Sequence, residues 1–178
     1  MLADPRRSRV VLINLTRGEE ANMPAEFVAR RRASLALLPV CQDFFRVTQL
    51  AIGEYEPSRI PDGSAHSLVP MGIDGLSLWH DQEFTASLAA SNVGAIFLGG
   101  AWLEEEVFIA ALEGVRLGYD VRVLADLSVA RAEIDRSLVL DRLGLHGGLT
   151  TTLRQTLLEW AVCLDDPILK ERVRQLLA

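Results

Sequence analysis

Two cysteines, three histidines and no long apolar run set the first limits on this 178-residue chain. Cys41 and Cys163 lie far apart, inside apolar patterns, and neither has a partner at metal-ligand spacing. Two such cysteines build no disulfide framework and are expected as small core residues in a reducing cytoplasm. His66, His80 and His146 show no Asp-x-His or His-x-His spacing, so no metal and no other cofactor is expected. No segment approaches the ~18 uninterrupted apolar residues of a membrane span. The charged N-terminus lacks the apolar core of an export signal. Positive charge is also short. A net charge of −6 and a pI near 5.1 argue against nucleic acid as a partner, because a phosphate backbone calls for a basic surface. The only locally basic stretches are Arg6-Arg7 with Arg9 and Arg30-Arg31-Arg32, and both are expected as solvated surface. Internal repeats and low-complexity segments are absent.

The chain has ample material for a core. Hydrophobic residues make up 49%, and the mean hydropathy is +0.20. The length fits a single domain spanning residues 1–178. Arg9–Leu15 is a nearly continuous β-branched run, the signature of a strand covered on both faces. Further strands are expected over Phe44–Ile52, Gly94–Leu98 and Tyr119–Ala125, with a short last one near Gly147–Thr151. Ser67–Met71 suits an edge strand, because Pro70 cannot donate to a ladder on both sides. Helical spacing covers the stretch from Pro24 towards Pro39, then Gln82–Ser91, Trp102–Leu117, Ala130–Leu143, Thr152–Cys163 and Pro167–Leu177. Gly53–Gly75 reads as a long loop. Strands alternating with helices imply right-handed crossovers and a three-layer α/β/α sandwich with a mostly parallel, Rossmann-like sheet.

Such a sheet binds ligands at the carboxyl ends of its strands. Asn14, Thr16 and Arg17 follow the first strand, and Asp126 ends the fourth. Gly99 and Gly100 form a tight turn between the central strand and a helix that opens with Glu104-Glu105-Glu106. That turn is the expected centre of the site.

Strand, glycine turn, helix ending Leu117-Gly118-Tyr119, strand ending Ala125-Asp126, and Thr150-Thr151 before another helix together resemble the isochorismatase-like superfamily of cysteine hydrolases and nicotinamidase relatives. The opening strand Val10–Leu15 fits as well. The resemblance implies that fold and a site plan: an Asp after the first strand, a Lys in the middle region and a Cys nucleophile at the helix start. Aligned by position, the Asp falls on Asn14, the Cys on Glu106, the turn threonine on Leu103 and the Lys near Ile73. No lysine occurs between Pro57 and Phe84. The resemblance thus implies a divergent member without the triad and without thioester chemistry, since Cys41 and Cys163 lie elsewhere in the chain. Isochorismatase chemistry keeps the first-strand Asp, and an amide at Asn14 is no acid.

Two readings remain. In the first, the chain is a non-thioester enzyme acting on a small organic metabolite. Glu106 is its acid or base, with a pKa raised by Trp102, Leu103 and Trp79 around it. Asn14 and backbone N–H groups from Gly100 to Leu103 polarise the substrate, Arg17 binds a substrate carboxylate, and His80 moves a proton. Against this, three glutamates in a first helical turn are explained by the helix dipole alone, which lowers a carboxyl pKa. In the second reading the chain is a non-catalytic homologue that binds a ligand or a partner protein. Both expect a small-molecule ligand and a homo-oligomer.

Overall fold

The computed structural model describes residues 1–18 and 20–178. Six strands form one sheet: β1 Ser8–Ile13, β2 Gln49–Ile52, β3 Leu68–Met71, β4 Ala95–Ala101, β5 Asp120–Val129 and β6 Leu149–Thr151. Their order is β3-β2-β1-β4-β5-β6, and every pairing is parallel. All six residues of β1 are buried, which explains its unbroken hydrophobicity. Pro70 does sit on an edge strand, opposite Ala51.

Side chains of β1 alternate between two cores. Val10 and Leu12 face a layer built by α1 (Ala25–Ala36), α2 (Leu38–Phe45), α7 (Leu153–Cys163) and α8 (Pro167–Leu177), with Phe97 and Trp160 at its centre. Val11 and Ile13 face α4 (Gln82–Ala90), α5 (Phe108–Arg116) and α6 (Arg136–Leu145), through Phe84, Leu88, Ala111 and Leu143. The remaining helix, α3, is a single turn over Asp62–His66.

Several expectations are corrected. The second strand begins at Gln49 rather than Phe44: the apolar run from Leu38 is helix α2, closed by Arg46 in the left-handed conformation (φ 59°). The stretch from Gly53 to Gly75 holds a 3-10 turn, α3 and β3 instead of plain loop. β5 runs on past Asp126 to Val129, after a shift in register against β4 between Leu98 and Gly100. Cys41 is buried as expected, but Cys163 is half-buried. The two basic stretches are not wholly solvated, because Arg9 and Arg31 are 8% and 7% exposed. No helix among the described residues is long and apolar enough to cross a membrane.

Candidate functional site

The sheet reverses its winding between β1 and β4, and the loops leaving those two strands meet there. The β1 turn is made locally. Asn14 adopts φ 48°, a conformation that asparagine tolerates better than most residues, and the Arg17 N–H donates to its carbonyl at 2.9 Å. The Asn14 side chain then laces β1 to its neighbours. Its Oδ1 accepts from the Glu54 N–H at 2.9 Å, and its Nδ2 donates to Glu106 Oε1 at 3.4 Å. Gly53 before Glu54 is obligatory, since its φ is +72° and a Cβ there would lie 2.4 Å from Asn14 Oδ1.

Beyond β4 the chain does not enter a regular helix. Leu103–Val107 is a widened turn in which Glu105 leaves helical geometry (φ −114°, ψ −106°), and α5 starts only at Phe108. Each glutamate of the triplet goes its own way. Glu104 accepts from the Ala132 N–H, Glu105 forms a two-pronged pair with Arg131, and Glu106 turns inward at 8% exposure.

Both oxygens of Glu106 accept hydrogen bonds from the chain itself. Arg17 Nη1 and Asn14 Nδ2 both donate to Oε1, and the Trp102 N–H donates to Oε2 at 3.3 Å. Burial pushes its pKa up. The Arg17 hydrogen bond, the backbone N–H groups of Glu106 and Trp102, and the charge of Arg17 outweigh burial and hold it below the ordinary carboxylate value. This corrects the expected raised pKa: the apolar neighbours are present, but the donors prevail. Arg17 also grips Glu54 through Nε and Nη2, at 3.0 and 2.7 Å. The bond to Glu54 and then that to Glu106 raise Arg17 above its normal value against the opposing effect of burial, and Arg17 in turn lowers Glu54.

The other sequence candidates scatter. Trp79 is a core residue, donating from Nε1 to the Ala110 carbonyl at 2.8 Å and stacked on Tyr119 at 5.1 Å. His80 is exposed at the end of a 3-10 turn. Leu103 is 1% exposed in the core. Gly100 is required by the sheet: its φ is +118°, and a Cβ would lie 1.8 Å from the Ile13 carbonyl oxygen. Trp102 packs its ring edge on Gly18 and carries the Arg131 guanidinium 4.8 Å from a ring centroid. Both ends of the Asn14 amide are engaged within the chain, Oδ1 by the Glu54 N–H and Nδ2 by Glu106. Asp126 is a cap, 2% exposed, accepting from Ser34 Oγ at 2.6 Å and from the Leu153 N–H that opens α7.

Sequence reading missed Glu54 and Gly75. Gly75 roofs the cluster; a Cβ on it would meet Ile13 Cγ2 at 2.6 Å and Glu106 Cβ at 3.2 Å. A glycine after Asp74 in a loop-like stretch gives no hint of that approach. Among the described residues, no group of three or more His, Cys, Asp or Glu is placed to hold a metal ion.

The sequence matches no protein-family model and no curated protein. Solved structures do match. The ycaC gene product of Escherichia coli, an octameric hydrolase of unknown specificity, superposes with a TM-score of 0.72 over 97% of this chain and 89% of its own, at 17% identity. An isochorismatase-like hydrolase from Alkaliphilus metalliredigens gives 0.62 over 86% and 99%, at 14% identity. This chain has the isochorismatase-like fold. A MAR1 ribonuclease from Caenorhabditis elegans superposes with a TM-score of 0.75 over 99% of this chain and 92% of its own, at 17% identity.

Proposed function

We propose that this chain is a non-catalytic, ligand-binding variant of the isochorismatase-like fold, in which the position that the resemblance gives to a nucleophile has become a structural ion pair. The observation that carries this reading is the engagement of both Glu106 oxygens by donors of the chain itself. Its two oxygens already accept from Arg17, Asn14 and the Trp102 N–H, so the backbone donor that would otherwise serve a developing oxyanion is spent on the carboxylate itself. A lowered pKa leaves Glu106 ionised, unable to donate a proton and weak as a base.

The enzymatic reading, with Glu106 as acid or base acting on a small organic metabolite, separates from this one in a single comparison. Wild-type and Glu106→Gln chains are assayed on isochorismate and on a panel of small esters and amides. Both are expected to stay at the uncatalysed rate. Turnover by the wild type that Glu106→Gln abolishes would overturn the non-catalytic reading.

A homo-oligomer belongs to the same proposal. Ile134, Leu138 and Leu145 are 88, 66 and 88% exposed along α6 and the turn before it, and the E. coli protein of the same fold is octameric. Light scattering tests it, with a purely monomeric species as the contrary result. Two cysteines without a disulfide suit the reducing cytoplasm as the compartment.

A further inference from the structure

The arginine cluster Arg30–Arg32 has a use that solvation does not explain. Arg31, on α1, is 7% exposed. Its Nη2 donates to the Leu15 carbonyl at 2.6 Å, while its buried Nε–H finds no acceptor among the described residues. A buried guanidinium held only by a backbone carbonyl is costly, and the cost is relieved by an anion. Arg31 lines a cavity of about 400 Å³ together with Arg17, Arg32, Arg59, Ser58 and Glu20. That volume suits a small metabolite.

The charges in the lining do not cancel. Arg17 is committed to Glu54 and Glu106, and Arg32 reaches Glu20 at 3.6 Å. Arg31 and Arg59 have no carboxylate within ion-pair distance among the described residues; Arg59 Nη2 donates to the Gly18 carbonyl at 3.1 Å. Burial lowers the Arg31 pKa, Glu20 raises it, and the like charge of Arg59 lowers it again. Two guanidinium groups without an ion-pair partner among the described residues therefore approach one cavity, and its four arginines together with Glu20, Glu54 and Glu106 carry one positive charge net.

We propose that this cavity binds a phosphate dianion, free or as the terminal group of a small phosphate monoester, between Arg31 and Arg59. A tetrahedral phosphate offers separate oxygens to the two guanidinium groups, whereas a planar carboxylate is taken up by one two-pronged contact. Planar N–H forks suit tetrahedral oxyanions, while the Ser58 hydroxyl on the same wall donates to Glu56 at 3.1 Å. The proposal gives a ligand class to the binding role described above. Its failure would leave the Glu106 assay unaffected, because the cavity lining excludes Glu106.

The test is titration of the full chain at pH 8 with inorganic phosphate, glycerol 3-phosphate, acetate and chloride at matched ionic strength, read by calorimetry and thermal shift. At least one phosphate probe is expected to bind and raise Tm, with acetate and chloride inert. Binding of inorganic phosphate alone marks free phosphate as the ligand, and binding of the ester marks a metabolite. Arg59→Gln changes an exposed side chain and is expected to weaken phosphate binding at least tenfold, whereas Arg131→Gln, outside the cavity, leaves it unchanged. Absence of binding by both phosphate probes at 10 mM, equal binding of acetate, or full binding by a folded Arg59→Gln chain would each overturn the proposal.

Discussion

Arg17 donates to Glu106 across the gap between the β1 and β4 loops, so that the buried carboxylate meets its cation from the first strand's own turn. The resemblance puts a lysine near Ile73. Instead, the segment there delivers Gly75, whose missing side chain makes room for the Glu106 stem. The cation has a different origin from the one the resemblance implies, and its partners fix it in place.

This pairing makes stability depend on pH. Glu106 has a pKa below its ordinary value of 4.5 in the folded chain, so its contribution is complete above pH 4.5 and is lost as pH falls through the folded-state value. Glu106→Gln is expected to cost about 1–3 kcal/mol at pH 7, since the half-buried Arg17 donor loses its buried charged acceptor. The gap between variant and wild type is expected to narrow below pH 4. Urea denaturation at pH 7 and pH 3.5 measures both, and a gap that stays constant with pH would contradict the ionised carboxylate.

Gly100→Ala is expected to be the most damaging small substitution in the sheet. The residue has φ +118°, and its new methyl would overlap the Ile13 carbonyl in the β1–β4 ladder. Backbone cannot yield there as a side-chain end would, so a loss of roughly 4 kcal/mol or more is expected. Soluble yield and the denaturation midpoint report it. Gly118→Ala is the control for a positive φ without a clash, because a Cβ at Gly118 meets nothing within 4 Å.

The two thiols should differ in reactivity. Burial pushes the Cys41 thiol up to about 12 and leaves it no exposed surface, while Cys163 is half-buried at the end of α7. Native protein at pH 8 is expected to release one equivalent with Ellman's reagent and a second only after denaturation. Cys163→Ser should remove the native equivalent, and rapid reaction of two thiols would contradict the burial of Cys41.

The layers are legible in local sequence patterns. The β-branched run at Val10–Ile13 and the helical pattern closed by Leu117-Gly118 are local patterns that map onto β1 and α5, whereas Gly99 and Gly100, expected as a tight turn, lie inside β4, paired with Leu12 and Ile13, and the chain turns only after Ala101. The sequence also placed Asn14, Arg17 and Glu106 at one end of the sheet, because strand polarity alone carries them there. Trp79 and His80 were equally plausible in the chain, yet one is held by the Ala110 carbonyl and the other faces solvent. Which way a loop side chain turns depends on the neighbours that fill the space beside it, and those come from distant segments. Only the tertiary structure decided that Glu106 would be ionised by Arg17 rather than protonated by burial, since the competing donors lie 89 residues and more apart in sequence from their acceptor or on its own turn. Arg31 shows the same physics in reverse. A run of three arginines reads as wet surface, and only the packing of α1 against the β1 turn buries the middle one beside a cavity.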